Sequence, residues 1–225
     1  VAPVRRRRGV VLTGATVHGE RISLRPLVRG DRDEFIALRR RNADWLTPWD
    51  PTTPPGGVPR RDIAADFRGY VRALDAEARS GTGLTMAIVV DSAIVGLVAA
   101  SSIVEGALCS ASIGYWVGRH VAGRGIAPTA VAMLADHLMD PQGRALHRVQ
   151  LEIRPDNAPS LAVATKLGLR EEGLQRAYLH IDGAWRDHRS FAVVTDELGP
   201  GGLRARLSHQ HQASRARHTD QPAPP

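Results

Sequence analysis

The chain holds one cysteine, Cys109, and one lysine, Lys166, in 225 residues. A lone cysteine can close no internal disulfide, and without Cys or His partners at ligand spacing it makes no structural zinc site. Long apolar runs are missing too. The longest, from Ala93 to Ala100, is interrupted by Gly96 and falls well short of the roughly 20 residues that cross a bilayer. The basic opening VAPVRRRRGVVLTG leads into no apolar stretch and no small-residue cleavage site, so the expectation is a cytoplasmic protein without membrane contact. The scarcity of lysine reads as a coding preference for Arg, because bidentate phosphate contacts need not strip Lys from a whole surface.

What is present is an ordinary globular composition, 43% hydrophobic and 24% charged, which excludes disordered and fibrous classes. The net charge of +7 would suggest nucleic acid if it lay on the fold. It lies at the ends: Arg5–Arg8 carry part, and Arg204, Arg206, Arg215 and Arg217 against Asp220 carry the rest, leaving residues 10–198 balanced. Contact with nucleic acid is therefore expected only through the tails. The chain divides into a basic arm over 1–9, a domain over 10–198, and a Gly-, Pro- and Gln-rich tail over 199–225 expected to be disordered.

Within the domain, Ile22, Leu24 and Leu27 alternate as a strand, and Asp31 precedes a helical FIALRRRNADWL. TPWDPTTPPGGVP, with five prolines, must be loop. Ile63, Phe67, Tyr70, Val71 and Leu74 recur at helical spacing up to Gly81. TMAIVV and AIVGLVAASSIV flank Asp91-Ser92 as a hairpin, and CSASIGYWVG reads as a third antiparallel strand. The loop VAGRGIA then opens a helix with Pro128 in its first turn. The strand HRVQLEIR, the helix NAPSLAVATKLG, and strands near 174–181 and 185–194 follow. The fold class is α/β: a mixed, mostly antiparallel sheet flanked by about four helices.

A strand, a Gly-rich loop and a helix N-terminus in succession make an anion site, since Gly123 and Gly125 let backbone N–H groups converge where the helix dipole favours negative charge. GRGIA lacks both the P-loop lysine and the third glycine of a dinucleotide fingerprint, which disfavours nucleotide-triphosphate enzymes and Rossmann dehydrogenases.

Together, IGYWVGRHVAGRGIAPTAVAMLADHL, LHRVQLEIRPDNAPSLAVATKLGL and DGAWRDHRSFAV resemble the GNAT N-acetyltransferases, and within them the ribosomal-protein alanine acetyltransferases of RimJ/RimL type. The resemblance implies a GNAT fold and acetyl-CoA as co-substrate, its pyrophosphate wrapped by Gly123, Arg124, Gly125, Ile126 and Ala127. It also implies pantetheine pairing at Val117 and a cofactor contact from Asn157. It carries the catalytic base to Glu152 and the acid for the thiolate to Ser160, and the acceptor side to Trp45, Trp49, Tyr115 and Asp187. Three positions depart from the family pattern: Ala122 in the loop, Ser112 where relatives carry a glutamate, and Ala164 where some carry a tyrosine.

Acetyl transfer to an amine needs a neutral amine, donors for the developing oxyanion and a stabilised thiolate. Glu152 alternates with Leu151 and Ile153 and so faces away from them; a base or a solvated strand residue are both open, as is a water chain. Ser160 reads equally as a first-turn helix serine, Asn157 as an N-cap, Trp45 and Trp49 as core packing, and Asp187 as part of a strand turn. The expected partners are acetyl-CoA and a protein N-terminus, with a ribosomal protein as the type case. A small-molecule amine acetyltransferase and a non-catalytic CoA-binding module are the competing readings, no metal is required, and a homodimer is left open.

Overall fold

In this computed structural model, which describes residues 10–219, the apolar β3 (Leu84–Val90) is buried on both sides. Met86 and Ile88 point to one face while Ala87 and Val89 point to the other, as period-two alternation in a covered strand requires. Asp91 and Ser92, at φ of 46° and 67°, turn β3 into β4 (Ala93–Val104); two consecutive left-handed residues suit the primed turn of a tight hairpin. β1 (Leu12–Ala15) and β2 (Arg21–Arg25) extend the sheet beyond β3, β1 being a strand that the sequence pattern did not show. On the other side come β5 (Ser110–Val117), β6 (Arg148–Ile153), β8 (Ala184–Val194) and, at the edge, β7 (Arg170–Ile181). Only β5 and β6 run parallel, so the sheet is mixed and mostly antiparallel, as expected.

Helices cover both faces. Phe35, Ile36 and Leu38 of α1 (Arg32–Arg41) pack with Phe67 and Val71 of α3 (Phe67–Ser80) on Ala87, Val89 and Leu97. The short α2 (Ala43–Leu46) follows α1. α3 starts at Phe67 rather than near Ile63, because the Asp66 carboxylate accepts the Gly69 N–H at 2.8 Å and caps it there. On the opposite face α4 (Ile126–Met139) and α5 (Ala158–Lys166) close over Ile88, Val98, Ile113 and Leu151.

The expectation of a disordered tail from residue 199 is corrected by α6 (Gly202–Thr219), which packs on α4. Leu203 and Leu207, one turn apart, are 0% and 6% exposed. Asp136 of α4 caps the helix, accepting the Leu203 N–H at 2.7 Å and the Arg204 N–H at 3.2 Å. Two leucines among Arg, His and Gln make a stripe too sparse to read as amphipathic, and the cap comes from 67 residues away. The basic arm over 1–9 and the last residues of the expected tail, 220–225, lie outside the described residues.

Candidate active site

β5 and β6 pair over three residues only, Ser110 with Arg148, Ala111 with Val149 and Ser112 with Gln150, and then part. Their outer edges stay laddered to β4 and β8, so the sheet opens in its middle. The Gly118 N–H bonds Val95 O at 2.8 Å, which fixes the phase of the β4–β5 ladder and turns the backbone groups of Ile113, Tyr115 and Val117 toward the gap. The gap is part of a cavity of about 580 Å³ walled by β5, β6, the 121–125 loop and the starts of α4 and α5.

At one end of the cavity the loop after β5 builds an anion cradle. Gly123 and Gly125 sit at φ of +82° and +79°, and Gly125 caps α4 with both the backbone and hydroxyl donors of Thr129 on its carbonyl, at 3.2 and 2.8 Å. The first N–H groups of α4 therefore face the cavity beside Ile126 and Ala127. The buried Asn42 ties this loop to α1: its Oδ1 accepts the Arg119 N–H at 2.8 Å while its Nδ2 donates to Leu38 O at 2.9 Å. The Trp45 indole N–H donates to Val117 O at 3.1 Å, bracing the end of β5.

Midway along, Glu152 and Ser160 line the same cavity from opposite faces of the sheet. Leu151 and Ile153 are buried with α4 and α5, so Glu152 points to the α1 and α3 side. One of its carboxylate oxygens accepts Gln175 Nε2 at 2.7 Å and the other accepts Ser190 Oγ at 3.0 Å. Burial pushes the Glu152 carboxyl above the usual carboxylate range, although both hydrogen bonds favour its anion. On the α5 side Asn157 caps the helix by accepting the Ser160 N–H at 3.1 Å. The neighbouring Tyr115 hydroxyl is fully buried without a hydrogen bond of good geometry, and burial pushes its pKa up to about 12 against the pull of Ser160.

The far mouth is aromatic: Trp45, Trp49, Tyr70 and Trp116 line it with Leu179, Ile181 and His188. Its charges are largely committed. Asp50 pairs with Arg39, which lies 5.1 Å from the Trp116 ring centroid, and Arg154 lies 5.1 Å from that of Trp49 while donating to Pro48 O at 2.8 Å. The proline-rich segment that roofs this mouth is laced to β7, the Thr52 N–H donating to His180 O at 2.8 Å.

Residues 21–170 match the family model described as the acetyltransferase (GNAT) domain. The chain belongs to the GNAT acetyltransferase family. Mycobacterium smegmatis RimJ, solved in complex with CoA-disulfide, superimposes with a TM-score of 0.80 at 35% identity, covering 90% of this chain and 95% of that one. The probable N-acetyltransferase YjcK of Bacillus subtilis (strain 168) is 27% identical over 179 residues, covering 80% of this chain and 97% of that protein. The [ribosomal protein uS5]-alanine N-acetyltransferase of Escherichia coli (strain K12) is 32% identical over 108 residues, 48% of this chain and 55% of that protein.

Of the residues singled out in the sequence, this cavity gathers Glu152, Ser160, Tyr115, Val117, Gly123, Gly125, Ile126, Ala127, Asn157, Trp45 and Trp49. Two do not line it. The Arg124 guanidinium turns outward to an ion pair with Glu20, leaving only its backbone in the loop. Asp187 is exposed and its Oδ1 accepts the Ala177 N–H at 2.7 Å, so it clasps a strand irregularity and does not line the aromatic mouth. His188, the next residue along β8, does line the mouth, 3% exposed and with burial holding its imidazole below the usual pKa. Asn42 escaped the sequence reading because its signal, an Asn just past a helix, is that of any C-terminal cap.

Proposed function

We propose that this enzyme binds acetyl-CoA through the opened sheet and transfers the acetyl group to the α-amine of a protein N-terminus, of the ribosomal-protein-alanine type. The observation that carries the reading is the parting of β5 from β6 with Glu152 on one side and Ser160 on the other. The donor set fits the co-substrate: the backbone groups of Tyr115 and the N–H of Val117, whose carbonyl is held by Trp45, suit the amides of a pantetheine arm, and the glycine loop with the first turn of α4 suits a pyrophosphate. Acetyl-CoA supplies the activated thioester. Glu152 takes the proton as the amine attacks, directly or through water, while Ser160 with Tyr115 beside it offers hydroxyl donors to the departing thiolate. An α-amine ordinarily titrates at about 7.7–8.0, against about 10.4 for a lysine side chain, and so needs only a carboxylate base.

The name of the Escherichia coli relative supports a ribosomal-protein acceptor, and an enzyme with such an acceptor works in the cytoplasm. Among the described residues no helix is long and apolar enough to cross a membrane. A polycationic small-molecule acceptor is less favoured by this mouth, where Asp50 is already paired with Arg39 and Asp156 with Arg154. A CoA-binding module without catalysis, suggested by Ala122, Ser112 and Ala164, leaves unexplained a half-buried carboxylate held at both oxygens in the cavity wall.

Gly125→Asp tests the co-substrate site. The new side chain must adopt φ near +79° and sets a negative charge where the pyrophosphate belongs, while its Cβ meets only ordinary contacts, His18 at 3.5 Å and Thr16 at 3.6 Å. Loss of one charge-assisted contact, about 1.5–3 kcal/mol, weakens CoA binding by about 10–150-fold in calorimetry. Unchanged affinity in a folded variant overturns this placement of the cofactor.

A further inference from the structure

Asp187 belongs to a motif, WRD, that the acetyl-transfer chemistry leaves without a task, and its surroundings give it one. β7 and β8 pair at Gln175 opposite His188 and again at Leu179 opposite Arg186, so β7 carries extra residues between those points. Ala177, in that irregular stretch, sits at φ of +47°, a conformation a non-glycine residue holds only when something fixes it. The fixing contact is the Asp187 carboxylate on the Ala177 N–H. The irregular stretch begins at Gln175, the residue whose amide reaches Glu152, and includes Tyr178, whose ring lies 5.3 Å from that of His188 in the mouth wall.

We infer that Asp187, Gln175 and Ser190 are positioning residues for the Glu152 carboxylate: Asp187 fixes the bulge in β7, the bulge delivers the Gln175 amide to one oxygen, and Ser190 holds the other. The inference rests on the reading of Glu152 as the base. Glu152 extends from the strand β6 into a cavity, and a glutamate with no fixed partners there would sample several rotamers. Two donors on two oxygens leave it one orientation, with a lone pair free for the incoming amine or its water. The same donors favour the anion, opposing the burial that favours the acid. Other charged groups act on Glu152 as well: Arg148 on β6 favours its anion and Glu172 on β7 opposes it. Neither belongs to the frame.

The experiment is the pH dependence of kcat/KM for acetyl transfer to a short peptide, on the full chain, for Gln175→Leu, Ser190→Ala, Asp187→Ala and the double variant Asp187→Ala/Gln175→Leu. Removing a donor that favours the anion raises the Glu152 pKa, so the rising limb moves to higher pH. At pH values below the wild-type limb the rate falls, while KM for acetyl-CoA stays as in wild type. Ser190→Thr, which keeps a hydroxyl, restores the limb. Asp187→Ala shifts it in the same direction as Gln175→Leu, and the double variant shifts no further than Gln175→Leu alone, since both act through one contact. A limb that stays in place in Gln175→Leu and Ser190→Ala, or additive shifts in the double variant, overturns the inference. A full rate for Glu152→Gln overturns the reading of the base instead, which separates the two failures.

Discussion

Glu152→Gln lowers turnover by about 10²–10⁴-fold, the span expected when a general base is removed. The substitution keeps the size of the side chain and the capacity to hydrogen bond. Ser190 Oγ and Gln175 Nε2 now donate to the carboxylate; in the variant the hydroxyl can rotate and the Gln175 amide can flip to meet an amide partner, so folding is preserved. Only the capacity to take a proton is lost. The wild-type rate rises with pH as Glu152 ionises, and burial places that limb above the usual carboxylate range. Gln has no such limb, so the profile of the variant reports the acceptor amine alone. Running a second peptide whose α-amine has a different pKa identifies which limb belongs to the acceptor.

Leu203→Ala destabilises the protein by about 2–5 kcal/mol, the usual cost of a large-to-small change in a buried aliphatic. At about 2–4 °C per kcal/mol for a chain of this size, the melting temperature falls by about 4–20 °C. Leu203 is fully buried on the inner face of α6, whereas Gln212 on the same helix is exposed, and Gln212→Ala stays within about 0.5 kcal/mol of wild type. Deleting residues 199–225 removes Leu207 and the cap partner of Asp136 as well, and lowers the melting temperature at least as far. Equal melting curves for the full and shortened chains would show that α6 adds nothing to the core.

The difference between these two regions shows what a sequence can carry. Glu152 was legible because strand alternation is local: with Leu151 and Ile153 on one side, the residue between them must face the other. The Asp91-Ser92 turn, the glycine loop and the Asn157 cap were legible for the same reason, each being decided within a few neighbouring residues. The parting of β5 from β6 was not, since it depends on how two strands more than thirty residues apart stop pairing. The tasks of Asn42 and Asp187 were hidden likewise: one bonds a loop 77 residues on, the other a bulge in the adjacent strand. Helix α6 combines both difficulties, with two leucines for a stripe and a cap from a distant helix.

Incubating the enzyme with acetyl-CoA and a peptide that begins with alanine and carries an internal lysine, then locating the acetyl group by mass spectrometry, tests the central claim most directly. The same peptide with its α-amine blocked and a linear polyamine serve as parallel acceptors. Acetyl on the alanine nitrogen, none on the lysine or on the blocked peptide, and slower transfer to the polyamine are the predicted results. Acetylation of the lysine side chain at an equal rate, or of the polyamine in preference to the peptide, would contradict an enzyme built for protein N-termini.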